Sequence, residues 1–252
     1  MGVLASLCCW LAAQAGPLRL YTEEYPPLNF SRDGQADGFS TEVVREILRG
    51  TGQQAQILVV PWARGYRQAQ TQPDTGLFVT MRTRERERLF QWVGPLTVNT
   101  TSFYALKGSA LRLAHLDDAR DAGDIAVPRD WYSHQLLEAE AFTNLYPVAD
   151  PEQMVRMLKL GRVRLIAVDD LSLPALLASG GLRPEDVQLL LTFVRTHSYI
   201  AFSPQTDGRL IERWQAELDR MKADGRFAVI YQRWLPGHEL PGAGGIGEQL
   251  RR

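Results

Sequence analysis

The sequence predicts an α/β protein in two lobes, each built on a mainly parallel sheet flanked by helices. Residues 18–80 alternate short apolar strands with helical segments, in the order strand, helix, strand, helix, strand. Such an order lays a parallel sheet under its own crossover helices. Residues 103–195 repeat the alternation, and longer β-type stretches at 98–106 and 198–202 flank the repeat as crossings between the lobes. The expected division is 16–99 plus 198–235 for the first lobe and 100–197 for the second.

The elements follow in order. Residues 18–22 alternate like a strand, and Pro26-Pro27 forces the loop after it, because proline cannot continue a ladder. Residues 34–38 read as a turn. Val43, Val44, Ile47 and Leu48 recur at helical spacing, with Ser40 or Thr41 as cap and Gly50 or Gly52 as stop. Residues 57–60 form an apolar run of buried-strand type, 62–70 a helix and 77–80 a strand. In the second unit, 124–127, 164–168 and 187–191 read as strands, and 133–141, 152–160 and 170–178 as helices. Gly161 and Gly180-Gly181 end the last two helices. Leu210, Ile211, Trp214, Leu218 and Met221 give a closing amphipathic helix, followed by apolar content through Trp234. From Pro236 to residue 252 the chain is rich in Gly and Pro and reads as a flexible tail.

Composition is that of a globular protein: 252 residues, 45% hydrophobic and 23% charged. A net charge of −1 gives no electrostatic footprint for nucleic acid or anionic membrane. Residues 1–15 carry no charge, are too short to span a bilayer, and end in Ala13-Gln14-Ala15. They read as a secretory signal peptide cut after Ala15, which sends the product to the periplasm. Both cysteines, Cys8 and Cys9, lie in that segment, so the mature chain has no disulfide or thiol chemistry.

The residues with recognition chemistry are few. Arg86, in the run Thr83-Arg84-Glu85-Arg86, stands just before the apolar segment leading to the first crossing. Its planar guanidinium can grip a carboxylate through two parallel hydrogen bonds. Asp169-Asp170 follows a strand, at the carboxyl end where open α/β sheets bind ligands. Asp169 is assigned to the cleft and Asp170 to capping the next helix. Tyr25, Trp62, Tyr66 and Trp92 offer flat faces for stacking or cation–π contact, with Tyr25 and Trp62 best placed after strands. His115, His134, His197 and His238 lack metal-ligand spacing, and no nucleophile-elbow, phosphate-loop or dinucleotide motif occurs. No metal, cofactor or catalytic residue is therefore assigned. Glu23-Glu24 is the one weak candidate for a general base, and adjacent loop carboxylates are usually solvated.

The ordered set of motifs resembles the family 3 bacterial extracellular solute-binding proteins over about residues 18–235. The resemblance is carried by Tyr25-Pro26-Pro27-Leu28-Asn29-Phe30 with Gly34 and Gly38, by the Thr-x-x-Arg of Thr83 and Arg86, and by Trp92. It continues through Gly161 to Asp169, and through residues 210–234 with Asp224-Gly225. It implies the type II periplasmic binding fold, two lobes hinged by two crossing strands. It also implies that Arg86 holds a ligand carboxylate, Asp169 its amino group, and Tyr25 and Trp62 the side-chain pocket. The chain departs from the family at Met81, where Ser or Thr is common, and at Pro128-Arg129-Asp130-Trp131, where Gly and a small hydroxyl residue are common. Met81 and Arg129 are accordingly taken as pocket residues particular to this chain.

The resemblance implies a monomeric binding protein that captures a small polar, amino-acid-like solute and delivers it to an ABC permease of the inner membrane. Two other functions fit the same scaffold: a ligand sensor for a signalling receptor, and a dehydratase-type enzyme that would need an acid/base pair in the cleft.

Overall fold

A computed structural model of the chain describes residues 17–242. The expected signal segment lies outside the described residues. In chain order the elements are β1 (Leu18–Thr22), β2 (Phe30–Arg32), β3 (Gln35–Asp37), α1 (Phe39–Thr51), β4 (Ala55–Val59), α2 (Trp62–Thr71) and β5 (Thr75–Met81). Then come β6 (Gln91–Leu106), β7 (Ile125–Pro128), α3 (Tyr132–Ala139), β8 (Leu145–Val148), α4 (Pro151–Lys159), β9 (Leu165–Asp169) and α5 (Leu173–Ser179). The 16-residue strand β10 (Val187–Phe202), α6 (Gly208–Ala223) and α7 (Arg226–Trp234) close the chain.

Eight strands form one sheet in the order β4-β1-β5-β10-β6-β9-β7-β8. At one end β4, β1 and β5 are parallel, and at the other so are β9, β7 and β8. Between them β6 and β10 run antiparallel to each other from Leu106 opposite Val187 to Gln91 opposite Phe202. The two crossings expected from the sequence are thus one continuous ribbon.

Alternation across the pleat sorts the core into layers. Leu20 and Phe78 join α1, α6 and α7 on one face, whereas their neighbours Tyr21 and Leu77 meet Ala69 of α2 on the other. At the far end Ile125, Val127, Leu165 and Ala167 pack with Leu136 and Leu137 of α3, and Ala126, Ile166 and Val168 pack with α4 and α5. Strands covered on both faces need continuous apolar runs, which is why β5, β7 and β9 are so written. Each fully buried Leu or Phe contributes roughly 1.5–3 kcal/mol.

Several expectations are corrected. The Ser40 and Thr41 caps are replaced by Gly38, whose φ of 109° and approach to the Leu28 carbonyl leave no room for a Cβ. A small hairpin, β2–β3, turns at Asp33-Gly34, both at positive φ, where only a turn at residues 34–38 was read. The 57–60 run is an edge strand, half-buried because only β1 pairs with it. The edge strand β8 went unread because Pro147 breaks its pattern. Of the expected tail, 236–252, the described residues 236–242 make contacts with the fold: the Tyr231 hydroxyl donates to the Glu239 carbonyl at 2.6 Å, and the Glu239 carboxylate pairs with Arg195 on β10.

Candidate functional site

The carboxyl ends of the parallel strands from both ends of the sheet converge on one cleft. About 470 Å³ of space lies between its walls, the open solvent at its mouth included. Glu23 and Tyr25 follow β1, Trp62 opens α2 after β4, and Val79 and Met81 end β5, with Arg86 in the loop beyond. The opposite wall is Asp169, the last residue of β9, and Trp131, Tyr132 and Ser133 at the start of α3. Thr101 on β6 forms the floor, paired in register with Asp169.

Arg86 is presented by a local turn in which its backbone N–H donates to the Thr83 hydroxyl at 3.3 Å. The Thr-x-x-Arg spacing exists for that bond. Only 3% of Arg86 is exposed, and its guanidinium lies between the rings of Trp62 (5.6 Å) and Tyr66 (5.3 Å). It donates to the Met81 carbonyl at 3.4 Å and, across the cleft, to Gln135 Oε1 at 2.6 Å. Among the described residues no carboxylate forms an ion pair with it. Burial pushes its pKa down, an effect that Tyr66, Tyr132, Glu85 and Glu23 only partly offset.

Asp169 is buried and occupied. Its Oδ1 accepts from the backbone N–H groups of Leu171 (3.1 Å) and Ser172 (3.0 Å), and its Oδ2 from the Ser172 hydroxyl (2.8 Å). The Tyr25 hydroxyl hydrogen-bonds to the same carboxylate; burial first, then that negative charge, raise the tyrosine pKa well above its usual value. The division of labour expected from the sequence is therefore corrected. Asp169 both lines the cleft and caps the following turn, whereas Asp170 ties the turn to the crossing, accepting from Thr100 N–H at 2.9 Å. That engagement delays α5 to Leu173.

Glu23 was missed by sequence reasoning as a recognition residue. Its carboxylate is taken into the cleft wall, where Trp131 Nε1 donates to it at 3.1 Å. Burial pushes its pKa up to about 8, more than the Trp131 hydrogen bond and Arg86 lower it. The Trp131 ring also meets Tyr25 edge-on at 5.0 Å. The available signal was position: Glu23 follows a parallel strand, as Asp169 and Trp62 do.

Met81 lies in the cleft with its sulfur 3.5 Å from the Thr196 hydroxyl. Arg129 does not reach this space. It is exposed on an adjoining outer groove, because the left-handed residue Asp130 (φ 62°) turns the chain so that Trp131, Tyr132 and Ser133 meet the cleft instead. Ser133 thus returns a buried hydroxyl to the wall that the sequence seemed to lack. Trp92 stands outside, donating to the Glu87 carbonyl at 3.1 Å.

Residues 18–237 match the model of the bacterial extracellular solute-binding proteins, family 3. The chain belongs to this family. Among curated proteins none matches by sequence. Solved structures place the solute-binding fold beyond doubt. A histidine kinase sensor domain with similarity to periplasmic binding proteins superposes with a TM-score of 0.81 at 19% identity, covering 90% of this chain and 98% of that one. A periplasmic His/Glu/Gln/Arg/opine family-binding protein from Silicibacter pomeroyi, in complex with lysine, gives 0.74 at 19% identity, covering 89% and 100%. An ABC uptake transporter substrate-binding protein from Streptococcus pneumoniae with bound histidine gives 0.76 at 14%, covering 90% and 95%. Among the described residues of this family member no helix is long and apolar enough to cross a membrane.

Proposed function

We propose that the protein is a periplasmic solute-binding protein that captures a small zwitterion in this cleft and delivers it to an ABC permease. The observation that carries the reading is Arg86: a buried guanidinium held between two aromatic rings that forms no ion pair with a carboxylate among the described residues. A buried charge without a countercharge is costly, and a guest carboxylate removes the cost. Ser133, near the start of α3, stands on the wall facing it. The lobes, residues 16–99 with 198–235 and residues 100–197, close as a hinge about β6 and β10. Closed, they bring Arg86 to Gln135 and Glu23 to Trp131. The lysine- and histidine-bound neighbours of the same fold support an amino-acid-like guest. Charge-assisted hydrogen bonds contribute roughly 1.5–3 kcal/mol each, so several are needed for micromolar binding, about 8 kcal/mol.

The test is a thermal-shift panel of amino acids, short carboxylates and polyamines on the monomer. A compound at 100 times its Kd stabilises by about 2.7 kcal/mol, which moves Tm by roughly 5–10 °C. A cleft that responds to no carboxylate-bearing compound ends this reading. The sensor-domain neighbour favours a second role, presenting the same closed form to a receptor. Stimulation of permease-coupled ATPase by the loaded protein, or its absence, separates the two.

A further inference from the structure

We infer that residues 235–242 form a strap across the hinge that favours the closed cleft before any guest arrives. The inference rests on the two-lobe hinge proposed above. The strap is moored to the first lobe on both sides. Leu235 is 2% exposed in the core shared by α1, α6 and α7. The Tyr231 hydroxyl on α7 holds the Glu239 carbonyl. Pro241 is buried and shares a hollow with Pro95, Tyr199 and Lys222, whose ammonium donates to the Pro95 carbonyl at 2.9 Å. Between these moorings two side chains reach the other way.

Both arrive at one level of the ribbon. Glu239 pairs with Arg195, which stands opposite Thr100 in the β6–β10 register. His238 Nδ1 lies 4.0 Å from Asp170. Asp170 is tied to the same Thr100, its carboxylate accepting the Thr100 N–H and its own N–H donating to the Thr100 carbonyl, each at 2.9 Å. Thr100 is the residue at which the proposed division places the start of the second lobe. Contacts at that level bind one lobe to the other.

Leu171 makes the same crossing with an apolar side chain. It follows β9 of the second lobe, yet it is 2% exposed in one cluster with Leu235 and Tyr25 of the first. The lobes stand closed, with Arg86 meeting Gln135 across the cleft. Opening draws the 169–172 turn off the first lobe, which exposes Leu171 and parts His238 from Asp170. Exposing that apolar surface is unfavourable, so strap and turn together resist opening. Exposed ion pairs are individually weak. A hinge equilibrium is itself a small difference, however, and apparent affinity scales with the fraction already closed. The turn also connects guest and strap, since Asp169 faces the cleft and Asp170 faces His238. By linkage, a guest that favours closure tightens the strap, and the strap raises guest affinity by the same factor.

The experiment measures the distance between spin labels on α2 and α3 by double electron–electron resonance. The labels are carried by Arg67→Cys and Ala139→Cys, both at exposed positions, in a chain with Cys8→Ser and Cys9→Ser. In the guest-free protein the short, closed distance dominates. His238→Ala combined with Glu239→Gln moves most of the population to a longer distance. Arg195→Gln and Glu239→Gln each move it part of the way, and together no further than either alone, because they break one pair. Glu185→Gln, which breaks an exposed pair with Arg183 inside the second lobe, leaves the distribution as it was. L-lysine, L-arginine and L-histidine are then titrated by calorimetry. Any of them that binds restores the short distance in the His238→Ala, Glu239→Gln protein, and binds it about threefold more weakly than the parent. An unchanged distribution in that variant, an open guest-free parent, or additive shifts at Arg195 and Glu239 overturn the inference and leave amino-acid binding untouched. A variant that opens but responds to none of the three amino acids keeps the strap and removes the amino-acid reading of the cleft instead.

Discussion

Arg82 and Arg86 lie one helical turn's worth of residues apart and are housed alike, yet their partners differ. Arg82 stacks on Trp92 (5.6 Å) and Tyr199 (5.1 Å), and Arg86 on Trp62 and Tyr66. Arg82 is answered from within the chain by a bidentate pair, Nε and Nη2 each 2.7 Å from the Glu87 carboxylate. That hydrogen bonding raises its pKa, whereas burial lowers that of Arg86. One aromatic-framed guanidinium is paired with a carboxylate of its own segment; the other meets only neutral acceptors, the Met81 carbonyl and Gln135. The carboxylates also differ: Asp169 accepts three hydrogen bonds from the turn that follows it, and Glu23 accepts one from the Trp131 side chain. Residue type and aromatic framing alone do not mark a binding group; on the function proposed above, the missing countercharge inside the cleft does.

The contrast can be broken most directly at the arginines. Arg86→Met lowers the affinity for any amino acid that shifts the wild-type protein by a hundredfold or more, a loss of about 2.7 kcal/mol by calorimetry. Arg82→Met changes that affinity by less than threefold. Equal losses at both sites would erase the distinction.

Next in size is the acid that folding has finished. Asp169→Asn leaves the Leu171 and Ser172 donors without a charged acceptor and destabilises the guest-free protein by about 2 kcal/mol, read as a Tm drop of roughly 4–8 °C. The other acid behaves oppositely. Glu23 has a folded-state pKa raised from 4.5 to about 8, so its favourable contribution is complete below pH 4.5 and is lost as pH rises through 8. Glu23→Gln therefore raises the guest-free Tm at pH 9 by several degrees and changes it little at pH 4.5. A Tm difference that is flat across pH would mean that Glu23 is not held in its neutral form.

The smallest effects sharpen the arginine pair in the absence of a guest. Arg86→Met removes a buried cation without a countercharge and raises Tm by about 2–4 °C. Arg82→Met removes a partly exposed ion pair and lowers it by about 1–3 °C. The opposite signs are the informative result.

Much of the fold was legible because it is written locally. The apolar runs of β5, β7 and β9, the left-handed Gly161 and the periodic face of α6 each declare themselves within a few residues. Arg86 was legible for the same reason, since Thr83 builds its turn three residues away. Glu23 was not. What makes it a neutral wall residue rather than a solvated loop carboxylate is burial in a cleft whose far wall, with Trp131, comes 108 residues further along the chain. The Gln135 bond to Arg86 spans 49 residues and was equally invisible. Arg129 misled because one positive-φ residue, Asp130, decides which of its neighbours faces inward, and aspartate does not announce that conformation. Local pattern reports elements and turns, but the state of a titratable group belongs to whatever the fold brings against it.

The stretch behind α7 has a practical side. Leu235 is buried, the Tyr231 hydroxyl grips the Glu239 carbonyl, Glu239 meets Arg195 on the long ribbon, and His238 Nδ1 stands 4.0 Å from Asp170. A purification handle or fluorescent reporter spliced directly after Trp234 would strip these struts from the waist and distort any affinity measured with it, whereas one joined beyond Gly242 leaves them standing.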